Sequence, residues 1–446
     1  MEGLKMPESW TRRPGAETTN LGRRELLGMA GLASAAPLLT WPDRLHASAA
    51  GGALNPGLDG AAPASIYERM LGVRTVINAA GAVTAFGGTV LSQEVTDAMA
   101  AASRSFVDLN ALYQAAGARL AEVTGAEAAM VTSGAFAAMV LAAAACLARD
   151  DEQRIAALPQ PTWPRRETVL QRAHSTAYDR AYRDAGAMIV YVDTEEEMLA
   201  AIGDRTAMIA GLMNIEKMAQ PGIIPLERLV ALGRRTGVPV YLDASFSITY
   251  LSDASSLSRY TGMGFDLVGI SGGKGLHGPQ STGILAGRAD LVASARRQAS
   301  PIPSALGRGM KVDKEEVIGL LVAVERFLAR DSRPLYRRDR ARVDAMRERM
   351  RDVPGLRVGY EEAFFGPGLV LMWDEADIPL SYPAFVERMR AGERPIAIHI
   401  AAGPSAYFVA DVNGPALFAG YLNDGEDMIV AERAREILLT ARQNAG

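Results

Sequence analysis

One lysine constrains this sequence more than any other residue. From Leu267 to Gly287 the chain is uncharged except for Lys274, which sits in Ser271-Gly272-Gly273-Lys274-Gly275 and is followed by Leu276-His277-Gly278-Pro279-Gln280. The apolar run Leu267-Val268-Gly269-Ile270 reads as a short buried strand. The small residues after it let backbone crowd a bound group. A lysine at such a strand end either snorkels to solvent or stays in an apolar setting that lowers its pKa. The second arrangement suits an amine that must shed its proton and attack a carbonyl.

A second constraint lies upstream. The run Val238-Pro239-Val240-Tyr241-Leu242 closes on Asp243, 31 positions before Lys274 (274 − 243), enough chain for one crossover between parallel strands. Alone, a strand-terminal aspartate reads as the N-cap of the next helix. Together with Lys274 it meets the needs of pyridoxal phosphate chemistry. The lysine forms the Schiff base, and the carboxylate keeps the pyridine nitrogen protonated so that the ring acts as an electron sink.

A third segment supplies an anion site. Ala128-Ala129-Met130-Val131 reads as a strand that passes through Thr132-Ser133-Gly134-Ala135 into an alanine-rich helix, Phe136 to Ala148. Backbone N–H groups and hydroxyls at a helix start hold a phosphate, although a lone Thr-Ser-Gly-Ala is also simply a capped helix. Strands and helices then alternate, with strands predicted to end near Ser133, His174, Asn214, Asp243 and Lys274. That pattern defines an α/β fold with a mostly parallel sheet, whose ligands bind at the carboxyl ends of the strands. His174, one of four histidines, is either a hydrogen-bonded structural residue or an imidazole stacked on the pyridine ring.

Composition sets the remaining bounds. The 446 residues carry a net charge of −4 with no long charged block, so nucleic acid is not an expected partner. A large domain plus a smaller one suits this length. Cys146, the one cysteine, rules out an intramolecular disulfide framework and a multi-cysteine zinc site; no metal is expected. At the N-terminus Arg23-Arg24 precedes the apolar run Gly28 to Leu39 and an Ala47-Ser48-Ala49 cleavage pattern. This reads as a signal peptide with a twin-arginine pair rather than an amphipathic helix with a chance Arg-Arg, and it implies the twin-arginine export machinery as a partner, a periplasmic location and no membrane anchor after processing. The expected organisation is signal over 1–49, linker and N-terminal helix over 50–74, a large cofactor-binding domain over 75–300 and a smaller α+β domain over 301–446. The basic segment around Arg308 and Lys311 is either a solvated loop or a contribution to a neighbouring subunit's site.

From Ser65 to Gln443 the chain resembles fold-type I pyridoxal phosphate enzymes, and more narrowly the branch holding bacterial selenocysteine synthase and D-glucosaminate-6-phosphate ammonia-lyase. The likeness rests on Ser271 through Gln280, on Val76-Ile77-Asn78-Ala79, on Val131 through Ala135 and on Met310 through Glu316. It implies Lys274 as Schiff-base lysine, Asp243 as pyridinium partner, and Ser271 with Ser133, Gly134 and Ala135 as the phosphate seat. It also implies His174 against the ring and Asn214 at the cofactor hydroxyl. Departures fall at Phe136, where relatives often offer a hydroxyl, at Phe246, where they place a glutamine, and at Ala419-Gly420-Tyr421-Leu422-Asn423. The implied function is elimination or β-replacement on an amino acid or amino sugar acid. Transamination and a non-catalytic binding role are the alternatives, and a homodimer or higher homo-oligomer is the implied assembly. Transfer of selenium on a tRNA is not expected of an exported, acidic chain.

Overall fold

The strand expected before the lysine forms over Leu267–Ser271 and is buried along its whole length. Six further strands build a sheet around it. The computed structural model describes residues 65–213, 222–249, 252–362, 365–402 and 413–444, all within the compact unit Ala64–Gly446. The signal segment, the 50–64 linker and Asn214 lie outside the described residues.

In chain order the strands are β1 (Ile77–Asn78), β2 (Ala128–Thr132), β3 (Glu167–Gln171), β4 (Met188–Val192), β5 (Thr206–Leu212), β6 (Val240–Asp243) and β7 (Leu267–Ser271). They continue as β8 (Gly283–Gly287), β9 (Arg357–Glu361), β10 (Gly368–Met372), β11 (Ile396–Ala397), β12 (His399–Ala402) and β13 (Asn413–Phe418). The large sheet has the order β2-β8-β7-β6-β5-β3-β4. All its strands run parallel except β8, which is antiparallel to both neighbours. β8 was not anticipated, because its sequence continues the uncharged glycine-rich run after Lys274.

Helices cover both faces, as a mostly parallel sheet requires. The helix Gly134–Ala148 is buried continuously from Ala137 to Ala148, and a helix apolar on every side belongs inside a core. Its alanines let it lie close to the strands. Its leucines, Leu141 and Leu147, are 1% exposed and stabilise the fold by roughly 2 kcal/mol apiece. On the opposite face the helices Leu109–Thr124, Leu226–Thr236 and Lys314–Leu328 pack into a second cluster.

The smaller layer is the antiparallel sheet β12-β13-β10-β9 with the helices Ser332–Arg349, Tyr382–Arg390 and Glu426–Gln443. The boundary drawn at residue 300 differs from the observed packing on two counts. Helix Lys314–Leu328 puts Val317, Leu320, Val324 and Phe327 into the large sheet's core, and Tyr113 Oη donates to the Val312 carbonyl at 2.6 Å. The smaller layer therefore begins beyond this helix. At the other end β1 pairs in parallel with β11, so Ile77 and Ala79 join the smaller layer's core. The physical reason is shared: an apolar helix face or a two-residue strand packs where a partner surface exists, whatever its place in sequence.

Candidate active site

The parallel strands deliver their polar ends to one edge. In the register, Leu212 stands opposite Asp243, and Asp243 opposite Gly269. Thr132 and Ser271 both pair with Gly283, from the two sides of β8. The start of helix Gly134–Ala148 and the Ser271 turn thus emerge one strand apart. Gly283 permits it: a Cβ there would lie 2.6 Å from the Gly134 carbonyl carbon, so a side chain would push the helix start away.

At this edge a cavity of about 360 Å³ opens, lined by Gly134, Ala135, Phe136, Asp243, Ser271 and Lys274 among others. The lysine turn is pinned by backbone bonds. Gly272 donates to Thr282 O at 2.9 Å, Gly278 to Gly272 O at 2.9 Å and His277 to Lys274 O at 2.8 Å. His277 holds a φ of 56°, a left-handed conformation that non-glycine residues seldom adopt and that tends to persist at functional sites. Burial pushes the Lys274 amine down to about 8, opposed by the charge of Asp243. Among the described residues it makes no hydrogen bond or ion pair. Burial likewise pushes the Asp243 carboxyl up, while the Ser245 N–H, donated to Oδ1 at 3.0 Å, and the Lys274 charge pull it down.

Of the residues singled out from sequence, Lys274, Asp243, Ser271, Gly134 and Ala135 line this cavity. Ser133 is the residue before the helix, and its side chain makes no capping bond. His174, expected against the ring, is not among the residues that line the cavity. It is 2% exposed, accepts the Leu212 N–H on Nδ1 at 3.0 Å and donates from Nε2 to Ile224 O at 3.1 Å. Burial holds it neutral, its pKa pushed down to about 4. It ties the turn after β3 to the end of β5 and to Ile224, and it does not line the cavity. Tyr178, four residues on, lines the cavity instead. Arg308 and Lys311 are exposed on the loop before helix Lys314–Leu328 and do not reach the cavity of their own chain.

Sequence reasoning missed the roof. The segment Ala82–Thr89 contributes Ala82, Thr84 and Gly88 to the cavity. Gln280 Nε2 donates to Thr84 O at 3.1 Å. Gly88, at φ 75°, would place a Cβ 2.9 Å from Gly273 O, so only glycine lets this strap lie on the lysine loop. The Gly87-Gly88 pair was the available signal.

The donor set fits pyridoxal phosphate: a desolvated lysine, a buried carboxylate on the next strand, and a helix start with a serine beside it for the phosphate. Fold and site together define a fold-type I pyridoxal phosphate enzyme.

No family model matches the chain. It is 36% identical over 335 residues to a Streptomyces 5'-C-glycyluridine monooxygenase-decarboxylase, covering 72% of this chain and 81% of the relative. It is 30% identical over 272 residues to the D-glucosaminate-6-phosphate ammonia lyase of Salmonella typhimurium, covering 59% and 70%. The L-seryl-tRNA(Sec) selenium transferase of Aquifex aeolicus is 26% identical over 381 residues. A solved D-glucosaminate-6-phosphate ammonia-lyase superposes with a TM-score of 0.71 at 25% identity, over 85% of this chain and all of that one. The serine palmitoyltransferase of Sphingomonas wittichii, at 14% identity and a TM-score of 0.52, shares the fold alone. The chain belongs to the pyridoxal phosphate family of D-glucosaminate-6-phosphate ammonia-lyase and selenocysteine synthase, and it is a pyridoxal phosphate-dependent lyase or transferase.

Proposed function

We propose that this enzyme takes the α-proton from an amino acid carried on a sugar and then expels the substituent on the neighbouring carbon, by elimination or replacement. The observation that carries the reading is the cavity in which Lys274, Asp243 and the start of helix Gly134–Ala148 meet. Pyridoxal phosphate, when bound, supplies an electron sink for the α-carbanion. The chain does the rest. The helix start and Ser271 would hold the phosphate, and Asp243 would pair with the ring nitrogen. Lys274 would hold the cofactor through its amine and, once that amine is free, would serve as the base. The Cα–H bond then breaks, its electron pair stays on carbon, and the proton moves to Nζ. A lysine pKa lowered to about 8 makes the neutral amine available near neutral pH.

Two relatives support the substrate class. Glucosaminate-6-phosphate and glycyluridine, in their names, are both amino acids whose next carbon belongs to a sugar. The Streptomyces relative also favours a second reading, oxygen-dependent decarboxylation of such an amino acid. The test is a panel of glucosaminates and nucleoside-linked amino acids with ammonia, carbon dioxide and oxygen uptake measured together. Ammonia without oxygen uptake supports elimination, and carbon dioxide with oxygen uptake replaces it by the second reading. Transfer of the amino group to a keto acid would mean transamination. Lys274→Ala should lose the visible absorbance of the loaded enzyme; a coloured, borohydride-reducible variant refutes the lysine assignment.

The twin-arginine segment supports export to the periplasm with the cofactor already loaded. The exposed Arg308 and Lys311 support a homodimer in which each subunit completes its neighbour's site.

A further inference from the structure

The Lys274 amine meets one aromatic face. Its Nζ lies 3.1 Å from the centroid of the Phe246 ring, and among the described residues it makes no hydrogen bond or ion pair. Phe246 comes from the turn that follows β6, where Ser247 N–H donates to Ala244 O at 2.9 Å. One turn therefore carries both the carboxylate and the ring that the lysine faces. Phe246 also meets Phe365 edge-on at 6.3 Å, and Phe365 in turn packs on Phe418 at 5.1 Å and stacks on His399 at 5.7 Å. Phe246 thus packs against both the large sheet's core and the aromatic cluster of the smaller sheet.

We propose that Phe246 is a positioning residue for Lys274: its ring face receives the amine whenever the lysine is not bonded to the cofactor, and the packing through Phe365 anchors that ring to the smaller sheet. The physical basis is the negative face of the ring. It attracts an ammonium, most strongly where water is excluded. A base that accepts the α-proton becomes an ammonium in a buried place, and the ring stabilises that product without bonding to it. Burial lowers the proton affinity of Lys274, Asp243 raises it, and Phe246 adds to the second effect. Among the described residues, Asp243 is the one charged side chain found to act on Lys274, and Tyr178 is the other titratable group lining the cavity. The inference rests on Lys274 as the working lysine of the proposed function.

The test is the pH dependence of Lys274 modification by an amine-reactive reagent, followed by mass spectrometry on the full chain freed of cofactor. Phe246→Leu should lower the apparent pKa of Lys274 by roughly 0.4 to 1.5 units, and Phe246→Tyr should restore it. A fluorinated phenylalanine at position 246, similar in shape but electron-poor on its face, should reproduce the Leu result. That last measurement separates the ring's charge distribution from its packing and stands even where the Leu variant folds poorly. An unchanged lysine pKa with the fluorinated ring overturns the proposal. This titration reads the cofactor-free amine, so its failure is distinct from a failed lysine assignment, which the colour of Lys274→Ala reports.

Discussion

Replacing Lys274 by Met should stabilise the cofactor-free protein at neutral pH, because the lysine is held where its charge is poorly solvated. Its pKa falls from the ordinary 10.5 to about 8. The difference, about 2.5 units at about 1.4 kcal/mol per unit, is about 3.5 kcal/mol. The sign follows from proton counts. The folded pKa lies below the unfolded one, so between about pH 8 and 10.5 the unfolded chain binds more protons and stability rises with pH. Below about pH 8 the cost is fully present and flat. Met keeps the length and loses the charge, and Asp243 remains in both proteins. Urea unfolding of wild type and variant at about pH 7, 9 and 10.5 gives the gap between them. The variant should lead by about 3.5 kcal/mol at pH 7, with the gap closing as pH climbs through the window. A gap that does not change with pH, or a wild type more stable at pH 7, refutes a desolvated lysine.

Asp243→Asn should keep the cofactor bound and lower turnover by orders of magnitude, since an amide does not hold a pyridinium; near-normal turnover would assign that role elsewhere. His174→Leu strands the buried Leu212 N–H and Ile224 carbonyl, at about 1–3 kcal/mol each. Calorimetry should show that loss while the visible spectrum of the loaded enzyme stays unchanged, and an altered spectrum would return His174 to the cofactor. Substituting Lys for both Arg23 and Arg24 in a reporter fusion should retain the precursor in the cytoplasm; periplasmic delivery as before means another export route. Mixing Lys274→Ala with Arg308→Ala should restore activity in hybrid dimers. Two inactive parents giving inactive hybrids would place Arg308 outside the opposite site.

What the sequence by itself determined was local. An apolar run that stops at a charged or small residue fixes where a strand ends, and in a parallel sheet strand ends share one edge. Lys274, Asp243 and the Gly134-Ala135 helix start could therefore be named from position alone, and Ser271 by resemblance. Tertiary structure decided what faces what. His174 and Tyr178 follow the same strand, but only packing shows that the histidine's two nitrogens are consumed by backbone while the tyrosine reaches the cavity. Similarly, Gly87-Gly88 signals a tight backbone approach, but not that its partner is a loop 185 positions away (273 − 88). Phe246 reads from sequence as a departure from relatives, and its place under the lysine amine depends on a contact with Phe365 from the other layer. Contacts of that kind join distant segments through shape and burial, which strand periodicity and turn chemistry do not encode.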